Sequence, residues 1–126
     1  MSARSTLAAV RATEDVASLT TRVRTISART AFESEAELAE WLGVDRSQLT
    51  RYKRGQQPRG EAAWRLLGLD AVVAALRQVL EAEVIPDWLQ GINAHLNHQR
   101  PLDVLRAGRL ADVIAAVEAE RAGSYA

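Results

Sequence analysis

The chain contains no cysteine, which excludes disulfide bonds, thiolate metal sites and a cysteine nucleophile. It also lacks long apolar runs. Residues 1–16 have no apolar stretch typical of a signal peptide, because Arg11, Glu14 and Asp15 interrupt them. No segment approaches the roughly 18 apolar residues of a membrane span. The absence of cysteine is typical of a reducing compartment, and we expect a soluble, cytoplasmic protein.

Signals for β-strands are almost absent as well. The sequence has no alternating β-branched run and no Asn-Gly or Asp-Gly hairpin turn. Its 126 residues are 48% hydrophobic and 25% charged, which is close to globular averages and argues against a disordered chain. Because helix signals recur instead, we predict an all-α fold.

The residue patterns of common enzyme sites are also missing. We find no glycine-rich phosphate loop and no Gly-x-Ser-x-Gly motif. His95 and His98 lie three residues apart, but no second pair of ligands accompanies them. We therefore expect neither an enzyme nor a cofactor, and no metal site.

The net charge of zero conceals an uneven distribution of charge. Residues 1–30 carry a net charge of +3, residues 31–45 a net −5, residues 46–59 a net +5 and residues 60–126 a net −3. Lys53 is the only lysine, and the other basic residues are arginines. A local basic block of this kind predicts a binding surface for an anionic partner.

Two short helices are predicted around the basic block. Ser34 and Glu37 form a capping box, and Gly43 ends the helix that follows. Asp45 caps the next helix with Gln48 three residues on, and Gly55 closes it.

Four further helices are predicted downstream of a hinge at residues 55–60. They are a long helix from Glu61 to about Leu80, with a bend at Gly68 left open, two short helices that begin at Pro86 and Pro101, and a last helix from Leu110 to about Glu120. Trp41 and Trp64 fall at helical spacing and are interpreted as packing residues.

Two short helices joined by a glycine turn, the second of them basic, describe a helix-turn-helix. With Leu49 and Tyr52 pointing inward, Arg51 and Ser47 point outward. Arginine can bridge O6 and N7 of guanine, and serine is an adaptable partner. We assign Arg46, Ser47 and Arg51 to base edges, and to phosphates we assign Gln48, Thr50, Lys53, Arg54 and Arg59. The alternative is a surface helix with a solvated basic face.

The segment EAELAEWLGVDRSQLTRYKRG, residues 35–55, resembles the helix-turn-helix of the Xre and phage-repressor family. Sequences of that family typically contain Leu-Ala, then Gly-Val, then isoleucine or leucine followed by serine, and finally a closing glycine. Thr50 stands where the family usually has serine.

Residues 84–126 resemble the toxin-binding domain of Xre/MbcA/ParS-type antitoxins. The resemblance depends on Trp88, Asn93, Leu96, the run Pro101–Leu105 and Gly108. It implies a RES-domain toxin that depletes NAD, which the antitoxin holds inactive while it represses their shared promoter.

In that family the last helix and the C-terminal tail dock at the toxin. Carried onto this sequence, the toxin-binding residues are Leu110, Val113, Val117, Arg121, Gly123, Ser124, Tyr125 and Ala126. The alternative is that the tail is a frayed end. Trp88, Pro101 and Leu102 are interpreted as structural, and Asn93 either as a cap or as a tie across the turn at residues 99–101.

We expect two modules: residues 1–82 with the helix-turn-helix, and residues 83–126 for the toxin. Residues 1–13 form an arm, a helix extension or a tail. The expected partners are operator DNA, a RES-domain toxin and a second copy of the chain, with no membrane. The alternatives are a stand-alone regulator whose C-terminal half dimerises, and a toxin-binding or scaffold protein whose basic helix contacts protein or nothing.

Overall fold

The structure, a computed structural model, describes the backbone of residues 3–123 and the side chains of residues 15–123. Within that range it contains seven α-helices and two short 3-10 helices, and its only extended pairing is a single bridge between Asn93 and Gln99. The predicted all-α fold is therefore confirmed. The helices are α1 (Ala3–Arg29), α2 (Glu35–Leu42), α3 (Arg46–Lys53), α4 (Gly60–Leu76), α5 (Ile85–Gln90), α6 (Pro101–Arg106) and α7 (Leu110–Gly123).

Helix α4 forms the centre of the fold. Its side chains Leu66, Leu69, Val72, Val73 and Leu76 are buried, and α1, α2, α6 and α7 pack around it. The helix runs without interruption through Gly68, where a Cβ atom would lie 3.2 Å from Leu105 Cδ1. This glycine therefore allows α6 to approach α4 closely. Helix α4 ends at Leu76, four residues earlier than predicted.

Helix α1 is the longest element, and its backbone is helical from Ala3. It packs against α3 and α4 through small residues, among them the buried Thr21, Thr25 and Ala28. The threonine hydroxyls do not need partners elsewhere in the core. Thr25 Oγ1 donates to the carbonyl of Thr21 at 2.7 Å, and Thr21 Oγ1 donates to that of Ala17 at 3.2 Å. Polar side chains can therefore face the core on this helix.

The short helices α5 and α6 each have a proline in their first turn, as predicted. Between them, Asn93 is buried, and its side chain accepts a hydrogen bond from the His95 N–H. Its own N–H donates to the Gln99 carbonyl at 3.0 Å. Asn93 therefore takes both of the expected roles: its side chain caps the 3-10 helix Ala94–Leu96, and its backbone ties the chain to Gln99.

The segments before and after residue 82 share one core. Trp41 Nε1 donates to the Leu102 carbonyl at 3.0 Å, and Gln90 Nε2 donates to the Ala31 carbonyl at 2.8 Å. Val113 and Val117 of α7 are buried in the same cluster as the residues of α4. The orientation of α2 and α3 is thus held by residues from both segments. None of the helices formed by the described residues is long and apolar enough to cross a bilayer.

Candidate nucleic-acid interface

A three-residue turn joins α2 to α3. Gly43 has a left-handed backbone with φ of 79°, and its N–H donates to the carbonyls of Ala39 and Glu40. The N–H of Val44 also donates to the Ala39 carbonyl, at 3.0 Å. These bonds satisfy the last carbonyls of α2 and turn the chain sharply. The predicted helix end at Gly43 is confirmed.

Asp45 begins α3 with a complete capping box. Its carboxylate accepts the Gln48 N–H at 2.7 Å, and Gln48 Oε1 accepts the Asp45 N–H at 3.0 Å. The Ser47 hydroxyl also donates to the same carboxylate, at 2.8 Å. These hydrogen bonds lower the pKa of Asp45. Asp45 is therefore ionised at neutral pH and favours the start of α3.

The other predicted capping box forms only in part. The Ser34 hydroxyl accepts the Glu37 N–H, as predicted. The Glu37 carboxylate, however, accepts the N–H of Glu33 rather than that of Ser34. The predicted reciprocal bond is wrong by one residue, while the predicted start of α2 is confirmed.

The inner side of α3 is formed by Leu49 and Tyr52, which are buried as predicted. Burial raises the pKa of the Tyr52 hydroxyl. The end of α3 contacts α1 at Gly55, which has φ of 102°. A Cβ atom there would lie 1.9 Å from Ser18 Oγ. Only glycine fits between the two elements, so this residue determines how closely α3 approaches α1.

The outer side of α3 and the loop after it present four arginines. Arg46, Arg51, Arg54 and Arg59 are exposed, and none of them forms an ion pair with another residue in the range 15–123. No carboxylate of residues 15–123 lies within 4 Å of these guanidinium groups. The structure therefore places these four predicted DNA-binding residues on one segment, with their guanidinium groups available to an anion.

The other four predicted residues already have partners inside the protein. Ser47 donates to Asp45 and Thr50 Oγ1 donates to the Arg46 carbonyl at 2.9 Å. Gln48 uses its carbonyl oxygen in the capping box. Lys53 forms an ion pair with Glu35, which lowers the pKa of Glu35 and links α2 to α3. These groups stabilise the helix pair before any ligand is present.

Two arginines that the sequence did not single out hold the C-terminal end of α2. Arg65 Nη1 donates to the Leu42 carbonyl at 3.1 Å, and Arg106 Nε donates to the Trp41 carbonyl at 2.9 Å. Cations at a helix C terminus interact favourably with its dipole. Arg65 and Arg106 are 23 and 65 residues from these partners, so local sequence patterns carry no signal for these bonds.

Trp64 corrects a second expectation. Trp41 is buried as predicted, but the side chain of Trp64 is 74% exposed. It separates two surface grooves of about 380 and 320 Å³ along α4. The prediction that Trp64 packs in the core is wrong. Both tryptophans fall at positions with helical spacing in the sequence. Only the packing of neighbouring helices determines which of the two side chains is buried.

The predicted toxin-binding residues of α7 fall into three groups. Val113 and Val117 are completely buried and Leu110 is partly buried. Their assignment as toxin contacts is corrected for the two valines, because a side chain without exposed surface cannot touch a partner. Arg121 and Gly123 are exposed, with Arg121 paired to Glu118 at 3.5 Å. Ser124, Tyr125 and Ala126 lie outside the described residues.

Comparisons of the chain with protein-family models, with curated proteins and with solved structures find no match.

Proposed function

We propose that this protein is an antitoxin that represses its own promoter through α2 and α3 and binds a RES-domain toxin through its C-terminal segment. The observation that carries the proposal is the set of four exposed guanidinium groups at Arg46, Arg51, Arg54 and Arg59, which form no ion pair with any residue between 15 and 123. The first of them lies at the N terminus of α3, and the turn that precedes this helix is fixed by Gly43 and Asp45. Such a protein acts in the cytoplasm, where it meets both DNA and toxin.

The size and chemistry of α3 suit the major groove of DNA. An α-helix with its side chains is about 10–12 Å wide, and the major groove is about 12 Å wide. Arg46 and Ser47 lie in the first turn of α3, the end that usually contacts base edges, and Arg51 follows on the outer side. Although the Ser47 hydroxyl donates to Asp45, its oxygen keeps lone pairs that can accept from a base.

The remaining basic residues suit the phosphate backbone. Arg54 follows the last residue of α3 and Arg59 directly precedes α4, so both are exposed residues of the segment that joins these helices. Lys53 differs from them because Glu35 already neutralises it. We expect Arg54 to contribute more to DNA affinity than Lys53, since binding through Lys53 requires the ion pair with Glu35 to break.

The toxin-binding half of the proposal is supported by the resemblance of residues 84–126 to antitoxins of this class. In this interpretation Val113 and Val117 anchor α7 to α4, and the exposed residues Arg121 and Gly123 lead into the tail. Ser124, Tyr125 and Ala126 would then contact the toxin. A tyrosine offers a rigid aromatic ring with one polar end, which is a common anchor at interfaces.

DNA binding is tested by fluorescence anisotropy on a duplex selected from a random pool and on the region upstream of the gene. Arg51→Ala should lose roughly 1–3 kcal/mol of binding free energy and relax discrimination at one base pair. Arg54→Ala should weaken binding to all sequences and reduce the slope of log K against log salt by about 1.

Arg77→Ala is the matched control for these variants. Arg77 is exposed and unpaired within the described residues but lies at the opposite end of α4 from α3, and its substitution should leave affinity and salt slope unchanged. Equal losses for Arg51→Ala and Arg77→Ala, or binding that does not vary with salt, would contradict DNA binding through α3.

The antitoxin role is tested by co-expression with the neighbouring open reading frame, with growth and cellular NAD as readouts. The full-length chain should protect cells, and a chain stopped after Arg121 should not. Protection by both forms would assign inhibition to the helical surface and contradict the role of Tyr125. A harmless neighbour, or protection by neither form, would contradict the antitoxin role.

A stand-alone regulator is the second candidate, and the placement of the C-terminal segment favours it. Arg106 and Gln90 donate hydrogen bonds to the carbonyls of Trp41 and Ala31, so residues after 82 have a structural role without any toxin. If this candidate is correct, Arg51→Ala weakens specific DNA binding as described above, while the neighbouring gene product has no effect on growth.

A further inference from the structure

Between residues 15 and 29 of α1, the large apolar side chains point away from the rest of the protein. Val16, Leu19, Val23 and Ile26 are between 55% and 67% exposed. The side of α1 that faces the core instead carries small residues, such as the buried Thr21, Thr25 and Ala28. Amphipathic helices in globular proteins normally have the opposite arrangement, with their large apolar residues inside. This helix therefore has a second apolar face, the outer stripe, formed by residues 16, 19, 23 and 26.

The outer stripe has the spacing of a coiled coil. Its residues are separated by three, four and three positions, which corresponds to a, d, a and d of two heptads. In the sequence the same positions continue upstream as Ala12 and Ala9. Helix α1 extends over 27 residues, so the stripe with its upstream continuation covers about 27 Å of helix between residues 9 and 26. A repeat of this kind suits a partner that is itself a helix with the same repeat.

The charges beside the outer stripe complement each other only in one arrangement. Asp15 and Arg22 are exposed, lie on the same edge of the stripe and take part in no ion pair within residues 15–123. They are seven residues apart, which is about 10 Å along the helix. If a second α1 ran antiparallel, Asp15 of each copy would lie beside Arg22 of the other. In a parallel pair, Asp15 and Arg22 would face the uncharged Thr20 and Ser27 instead.

We propose that the outer stripe is the interface with a second copy of this chain, in an antiparallel pair of α1 helices with Asp15 beside Arg22 of the second copy. In this register Val16 of one copy packs against Leu19 of the other, near the two-fold axis. Val23 and Ile26 lie against the N-terminal half of the opposite helix, where the heptad positions are the alanines at 12 and 9. The dimer then contains two charge pairs in total, Asp15 of each copy with Arg22 of the other. The proposal does not depend on what α3 binds.

The first experiment measures mass by sedimentation and light scattering over a micromolar concentration series of the full chain. The monomer has a mass of 13.8 kDa, and the wild type should show twice that mass. Leu19→Asp should shift the chain to the monomer, because it places a charge in the centre of the interface. Ile92→Asp is the matched control, since Ile92 is 73% exposed but lies outside α1, and it should remain dimeric. Circular dichroism checks that both variants fold.

The second experiment tests the register by exchanging charges. Asp15→Arg and Arg22→Asp should each raise the dimer dissociation constant by about tenfold or more, because attraction becomes repulsion at both symmetric pairs. An equal mixture of the two variants should recover wild-type affinity, because one chain is then positive at both positions and the other negative. The double variant Asp15→Arg/Arg22→Asp should recover it as well.

The proposal is wrong if the wild type is monomeric throughout the series, which would leave the stripe to a different protein. It is also wrong if Leu19→Asp remains dimeric, or if Ile92→Asp dissociates as readily. Failure of the mixed charge variants to associate more tightly than either variant alone would contradict the antiparallel register.

Discussion

Replacing a tryptophan with phenylalanine should destabilise the protein strongly at position 41 and hardly at all at position 64. Trp41 is 7% exposed, donates its indole N–H to the Leu102 carbonyl at 3.0 Å and packs against Phe32 with a ring separation of 5.9 Å. Trp64 is 74% exposed, and its indole has no hydrogen-bond partner among the described residues. The same chemical change therefore removes an interior contact in one variant and only a solvated ring in the other.

The cost of Trp41→Phe can be worked out from its contacts. Loss of the hydrogen bond to Leu102 should cost about 1 kcal/mol. Replacement of the larger indole by a phenyl ring leaves unfilled space and loses buried apolar surface, which should cost a further 1–2 kcal/mol or so. The free energy of unfolding should fall by about 2–3 kcal/mol in total, whereas Trp64→Phe should change it by less than about 0.5 kcal/mol.

Urea and thermal unfolding followed by circular dichroism provide the measurement. For a chain of this length, 2–3 kcal/mol corresponds to a decrease in Tm of roughly 8–11 °C. The Trp41–Leu102 bond joins the segments before and after residue 82, so the wild type should unfold in one transition with both fluorescence and circular dichroism. Equal losses for the two variants, or two separate transitions in the wild type, would refute the reasoning.

Three further expectations concern the turn, the last helix and pH. Gly55→Ala should lower the free energy of unfolding in urea by more than Gly60→Ala does. Both glycines have positive φ, but only at Gly55 would an added Cβ atom meet Ser18. Equal losses would contradict the close approach of α3 to α1. Val117→Ala should lower the free energy of unfolding by about 2 kcal/mol and Val84→Ala by under about 0.5 kcal/mol, since Val117 is buried and Val84 is exposed. A Val117→Ala variant as stable as the wild type would show that α7 does not pack in the core. The pKa of Glu35 is below its usual value of 4.5 because Lys53 hydrogen-bonds to it, so this pair stabilises the fold above that pH, and its contribution is lost as the pH falls through the lowered pKa. The decrease in Tm on acidification should therefore be shallower in Lys53→Gln than in the wild type, and parallel curves would contradict the linkage.

Much of the region around the candidate interface could be predicted from sequence because its signals are local. Gly43, Asp45 and Gln48 act on backbone groups within four residues of themselves, so their types and spacing suffice to place the end of α2 and the start of α3. The inward direction of Leu49 and Tyr52 follows from helical periodicity once that start is known. The prolines at 86 and 101 place the beginnings of α5 and α6 in the same way.

Which apolar faces are covered could not be predicted in this way. The local sequence does not distinguish Trp41 from Trp64. It also does not distinguish the apolar positions of α1 from those of α7. Val113 and Val117 are buried because α4 lies against them, while Val16, Leu19, Val23 and Ile26 are exposed because α1 packs through its threonines and alanines. Arg65 and Arg106 reach the end of α2 only because the chain returns there from far along the sequence.

The sequence by itself determined the all-α class, the turn between α2 and α3 and the exposed arginines of α3, because these depend on hydrogen bonds and periodicity within a few residues. The tertiary structure alone decided which tryptophan is buried, that the valines of α7 belong to the core and that α1 presents Val16, Leu19, Val23 and Ile26 outward. Burial is a property of pairs of surfaces brought together by the whole chain, and a single helix carries no record of which of its faces will meet another.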